Sequence, residues 1–237
     1  MEEKFIILDV ETANDIPDTM VYDLGLIVAD RNKNVYERKG FVIKDIFTDE
    51  KDLMKECYYK DKLPLYDERL KSKELKEVTL FTARREIAKL INKYNIKTVY
   101  AYNASFDRNA LNTTQRFLTK SKYRWFLPYG VKFNCIWHMA CQTICQKIDY
   151  IYFCIKNECV SPKGFMSTNA KTVYKYLTKN ADFEEEHTGL ADVMIELEIL
   201  AETLKYHEKV NQYIYRGCYH LPQKKFKKLA EKVLTNS

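Results

Sequence analysis

The apolar positions of this chain fall into two periods, and the switches between them outline an architecture. Residues 4–9, "KFIILD", hold a short unbroken apolar run that reads as a buried strand. "MVYDLGLIVAD" (20–30) and "NVYERKGFVIK" (34–44) read as two more, with "RNKN" between them as a hairpin-like turn. Residues 45–78 are highly charged without a sustained period and read as short surface helices and loops. From Thr79 the period becomes helical, with Ile87, Leu90, Ile91 and Tyr94 at i, i+3, i+4 and i+7. "KTVYAY" (97–102) is another strand, with Asn103 or Ser105 placed to cap the next helix, and "GVKFNCI" (130–136) is a fifth. Residues 137–156 read as helical but ambiguous, and "NECVSPKG" (157–164) as a loop. Ser167 or Thr168 is placed to cap a helix reaching about Leu177. A last helix starts near Thr188 and carries a stripe of Leu190, Val193, Met194, Leu197, Leu200, Ala201 and Leu204. Three strands, a helix, a strand, then more helices predict an α/β domain around a central mixed sheet, its first three strands antiparallel.

Composition changes this picture little. The 237 residues are 46% hydrophobic and 30% charged, with six Gly and five Pro, enough for one sizeable globular domain with a small appendage. No apolar run approaches the roughly 20 residues that span a bilayer. "MEEKFIIL" lacks the basic start of a signal peptide. The seven Cys match no zinc-ribbon spacing, so reduced thiols in a cytoplasmic protein are expected.

Charge adds more. The formal net charge is +6, and residues 205–237 supply all of it, with eight Lys or Arg against Glu208 and Glu231. Two parts are therefore expected, a neutral body (1–204) and a basic extension (205–237). That extension interleaves Tyr206, Tyr213, Tyr215, Tyr219 and Phe226 with its cations. Such a pattern suits either stacking on single-stranded bases with phosphate contacts, or a solvated helix whose aromatics dock it on the body.

The chemistry begins where the first strand runs into Asp9 and Glu11. Strand side chains alternate, so both acids point the same way, about 7 Å apart along the backbone. Unpaired carboxylates at the end of a buried strand are costly, and a hard divalent cation such as Mg²⁺ or Mn²⁺ would offset that cost. The plainer alternative is a strand that ends at Asp9. Asp107 follows a strand in the first turn of a helix, where the helix dipole alone would favour an acid. His187 precedes the last helix, and Asp192 lies about 140° from the middle of its apolar stripe, which suits a site or mere exposure.

Taken together, Asp9-x-Glu11-Thr12, Asn103-x-x-Phe106-Asp107 and His187 with Asp192 five residues later resemble the three motifs of the DEDDh 3′-to-5′ exonucleases. That family includes proofreading exonuclease subunits, ribonuclease T and oligoribonuclease. "YDLGLIVAD" resembles its second strand, and the likeness spans residues 4 to about 204. A sister group has Tyr four residues before the final Asp. Thr188 stands there in this chain, so the histidine type is indicated. Family members often have Gly soon after the first motif and His before the second-motif Asn, where this chain has Ala13-Asn14 and Tyr102.

The resemblance implies a ribonuclease-H-like fold and two Mg²⁺ or Mn²⁺ ions. Asp9, Glu11, Asp107 and Asp192 would be their ligands and His187 the general base. Thr12, Asn103 and Phe106 would meet the 3′-terminal nucleotide, with core packing the equal alternative for Phe106. The expected reaction releases 5′-mononucleotides from single-stranded or frayed DNA. Action on RNA ends or short oligonucleotides is the first alternative, and a non-catalytic nucleic-acid-binding or polymerase-associated module the second. Expected partners are the 3′ end of DNA or RNA and a polymerase or other replication protein. Outside these motifs, His138, Cys141 and Cys145 share one helix face and could bind zinc with Cys154 or Cys159, although small buried thiols are the plainer reading. "DFEEEH", before His187, could offer stray metal ligands, although a solvated acidic loop is the plainer reading.

Overall fold

A computed structural model of the chain describes residues 3–14, 18–55, 57, 60–120, 125–206, 210–212 and 217–234, with side chains described through residue 229. β1 (Lys4–Ala13), β2 (Met20–Asp30) and β3 (Val35–Ile43) pair antiparallel in sequence order. β4 (Leu75–Val78), β5 (Thr98–Ala101) and β6 (Lys132–Cys135) complete a six-stranded sheet of order β4-β3-β2-β1-β5-β6. The pairs β3–β4, β1–β5 and β5–β6 are parallel, so the sheet is mixed, as expected. β4 lies inside the charged stretch read as helices and loops. It is a four-residue edge strand, "LKEV", in which Leu75 alone is buried, so it carries no alternation to read.

Helices α1 (Lys44–Phe47), α2 (Lys51–Lys55), α3 (Leu63–Lys71), α4 (Leu80–Tyr94) and α5 (Ala104–Thr119) contribute to one face of the sheet. Helices α6 (Ile136–Gln142), α7 (Ile148–Lys156), α8 (Ala170–Thr178) and α9 (Gly189–Thr203) cover the other. The alternation of β1 assigns the faces. Ile6, Leu8 and Val10 pack with Ile87, Leu90 and Leu111. Phe5 and Ile7 pack with Val193, Leu197 and Leu200 of α9. Asp9 and Glu11 continue that odd-numbered set, so strand geometry alone aims them at α9.

α9 is buried almost all round, broader than the predicted stripe, while Met194 of that stripe is exposed. Its first residue rests on β2 backbone to backbone. A Cβ built on Gly25 would lie 2.0 Å from the Gly189 carbonyl carbon, and one on Gly189 2.6 Å from the Gly25 nitrogen. Buried Asp23 holds the junction, its Oδ2 accepting from Gly189 N (2.9 Å) and Tyr66 Oη (2.8 Å).

Local chemistry corrects two caps. Asn169, rather than Ser167 or Thr168, caps α8, its Oδ1 accepting from Thr172 N at 2.8 Å. Asn103 holds the cap position of α5, but its side chain makes no capping hydrogen bond. Within 205–237, α10 (His220–Leu234) packs on α6, with Phe226 buried among the α6–α9 core and Gln223 bonded to both backbone groups of Met166. Tyr219 stacks on Trp137, whereas Tyr213, Tyr215, Lys209 and Arg216 lie outside the described residues. Among the described residues, no helix is long and apolar enough to cross a membrane.

Candidate active site

The predicted acids meet where the C-terminal halves of β1 and β5 face the starts of α5 and α9. Asp9 and Glu11 come from β1, which stays paired with β2 through a bulge between Glu11 and Thr12 and so runs on to Ala13, past the expected end at Asp9. Asp192 comes from the first turn of α9 and Asp107 from the first turn of α5. Ligand atoms of Asp9, Glu11 and Asp192 all lie within 4.8 Å of one another. A second group, Glu185, His187 and Asp192, is equally tight and shares Asp192 with the first. These acids line a cleft of about 220 Å³ with Asn103, Phe106, Asp107, Tyr102 and Glu196. Thr12, half-buried beside the bulge, is not among its lining residues.

Each carboxyl is harder to ionise than an ordinary one, because it is crowded away from water beside like charges. Burial, then the charges of Glu196 and Asp107, raise Asp9 well above the carboxylate range. Burial, then Asp23 and Asp192, push Glu11 up to about 9, with Lys62 opposing. Burial, then Glu185 and Asp23, push Asp192 up to about 8. Burial pushes Asp107 up to about 7, although its own backbone N–H and that of Val10 hold it down.

His187 sits in left-handed backbone (φ 56°), in a loop clamped from the opposite side. Lys62 donates to the Glu186 carbonyl. Arg69 reaches Glu186 Oε1 (2.6 Å) and donates to Thr188 Oγ1 (3.1 Å), which itself donates to Glu186 at 2.7 Å. The His187 Nδ1 lies 3.6 Å from Glu185 Oε2. Burial, then Lys62 and Lys171, lower the imidazole below the ordinary histidine value, which keeps it neutral near pH 7 and able to take a proton.

A divalent cation of the Mg²⁺ or Mn²⁺ kind fits this donor set. The donors are hard oxygens, they repel one another, and buried Asp192 Oδ1 and Glu196 Oε2 have no hydrogen-bond partner among the described residues.

No protein-family model matches the chain, and no curated protein does. Solved structures do. E. coli exonuclease I in complex with a dA16 oligonucleotide matches with TM-score 0.53 at 16% identity, over 85% of this chain and 41% of that one. A full-length 3′-exonuclease matches with TM-score 0.59 at 11% identity, over 91% and 88%. The nuclease domain of 3′hExo, a DEDDh family member bound to rAMP, matches with TM-score 0.51 at 12% identity, over 90% and 98%. The fold is that of the DEDDh exonucleases. This chain thus spans less than half of exonuclease I, but nearly all of the 3′hExo nuclease domain.

Within this fold, two acids outside the predicted site set reach the cleft. Glu185, read as part of a solvated loop, is half-buried beside His187. Glu196 lies four residues after Asp192, hence on the same helix face, and is only 2% exposed. Its signal was present: an acid four residues after Asp192 in "MIELEIL", whose other acid, Glu198, falls outside that i+4 spacing. The Cys/His set behaves differently. Cys218 comes to Cys141 and His138, while Cys159 donates to Asn157 O. Among the described residues, none of these thiols joins a group of three ligand atoms mutually within 4.8 Å.

Proposed function

We propose that this protein is a metal-dependent 3′-to-5′ exonuclease that hydrolyses phosphodiester bonds of single-stranded or frayed DNA and releases 5′-mononucleotides. One observation carries the reading: Asp9, Glu11 and Asp192 converge within ligand distance, and Asp192 also adjoins His187. The oligonucleotide held by exonuclease I and the rAMP held by the 3′hExo domain support a nucleic-acid substrate for this cleft too. The dA16 ligand favours DNA, and the rAMP ligand supports the second reading, action on RNA ends.

Two divalent ions would supply charge neutralisation at the scissile phosphate and a lowered pKa for water. The chain's residues do the rest. Asp9, Glu11, Asp107 and Asp192 would hold the ions, their formal −4 matching two dications. His187, neutral and adjoining Glu185, takes the proton of the attacking water. Asn103 and Phe106, at the cleft mouth, meet the terminal nucleotide, one by amide hydrogen bonds and one by ring contact. Thr12 is proposed to act from the β1 bulge on the same nucleotide.

The test offers 3′-labelled DNA and RNA of one sequence, with Mg²⁺, with Mn²⁺ and with a chelator. Mononucleotide release that stops with chelator is expected, faster on DNA. Release that persists in chelator would overturn the metal-dependent reading, and a faster rate on RNA would select the ribonuclease.

A further inference from the structure

The cleft holds two more acids than the motifs provide, Glu185 beside His187 and Glu196. Glu196 is fixed by a single bond, its Oε1 accepting from the Tyr102 backbone N–H at 3.0 Å. Tyr102 is held in turn, its hydroxyl donating to the Thr168 carbonyl at 2.6 Å. The second oxygen, Oε2, is buried without a partner and belongs to a side chain that lines the cleft. An unpartnered carboxylate oxygen in such a place is costly unless a proton or cation meets it. Asp9 and Asp107 line the same cleft, and Tyr102, which holds Glu196, directly precedes the Asn103 cap of the α5 that carries Asp107. Glu11 and Asp192 put ligand atoms within 4.8 Å of Asp9, whereas Asp107 belongs to no such trio among the described residues, so a cation beside Asp107 needs a further acid.

We infer that Glu196 is a fifth acid of the cation-holding set, completing with Asp9 and Asp107 the place of the second ion. This rests on the reading of the cleft as a two-cation site. A mere structural acceptor for Tyr102 N–H would need only Oε1, and that distinction makes the inference testable. Glu196→Gln keeps the volume and the acceptor and removes the charge.

The experiment titrates Mn²⁺ into full-length wild type, Glu196→Gln and Asp9→Asn, following free Mn²⁺ by electron paramagnetic resonance and thermal unfolding with and without the ion. For Glu196→Gln, the weaker of two Mn²⁺ affinities should fall tenfold or more, and the Mn²⁺-induced rise in melting temperature should shrink. Without metal, the variant should melt no lower than wild type, because a buried like charge has gone. Two unchanged Mn²⁺ affinities in Glu196→Gln, with Asp9→Asn losing them, would overturn the role of Glu196 alone. A wild-type protein that bound no Mn²⁺ would overturn both this inference and the two-cation reading.

Discussion

At the scale of single residues, the site is a set of crowded acids that repel one another, a charge pattern that a divalent cation would relieve. Asp9→Ala or Asp192→Ala should therefore abolish Mg²⁺-dependent release of nucleotides from a 3′-labelled strand. The same variants should melt at or above the wild-type temperature without metal, since each loses a buried like charge. Wild-type turnover in purified Asp9→Ala would remove that acid from the mechanism. His187→Ala should lower turnover by about 10²–10⁴-fold while Mn²⁺ affinity holds, as expected of a proton acceptor. If affinity fell in step with turnover, His187 would be a ligand instead. These side chains were legible because their motifs lie at strand and helix ends, where local spacing survives folding. Glu185 and Glu196 were not, because one sits in an acidic run that looks solvated and the other hides inside an apolar helix. Only the tertiary fold shows where they point.

At the scale of elements, the unbroken apolar run of β1 and the helical period of α4 were sufficient to place both. β4 escaped notice because an edge strand of four residues, mostly exposed, has no face to declare. The seat of α9 was also invisible, since nothing in "DLGLI" or "HTGLAD" says that Gly25 and Gly189 touch. That contact predicts a steric result: Gly189→Ala puts a methyl within 2.6 Å of the Gly25 nitrogen, so backbone must shift. A loss of about 1–3 kcal/mol in denaturant unfolding is expected, together with lost turnover, because Asp192 moves with α9. Unchanged stability would mean that the helix does not rest there. The β2–β3 turn makes a contrasting case. Burial works against the Asp30 charge, yet hydrogen bonds from Asn34, Tyr36 and the Asn34 and Asn32 backbone hold its carboxyl down at about 2. Its contribution is present above the ordinary carboxylate range and is lost only as pH falls through about 2.

At the scale of the whole molecule, the acids of the cleft give an opposite dependence on pH. Asp107, Asp192 and Glu11 have folded values of about 7, 8 and 9, above the unfolded range near 4. Between these limits the folded state binds more protons than the unfolded one, so stability is fully present below about pH 4 and declines as pH rises toward 9. Thermal unfolding in chelator should show the melting temperature falling from pH 5 to 9, and Mg²⁺ should flatten the slope. A rising profile in chelator would contradict this electrostatic account. The basic extension makes a separate prediction. Lys224, Lys227 and Lys228 are exposed on α10 while Phe226 anchors it, so their Ala variants should fold normally. If they meet phosphates, the triple variant should reduce the salt slope of single-strand binding by about 2. An unchanged slope would leave α10 a packing element only. Finally, where Gly25 meets Gly189, peptide lies against peptide with no side chain between them to repack. The jaws bearing Asp9 and Asp192 thus work as a locked caliper, its opening gauged by main chain, so altering the gap between those two acids would require re-laying the helix itself.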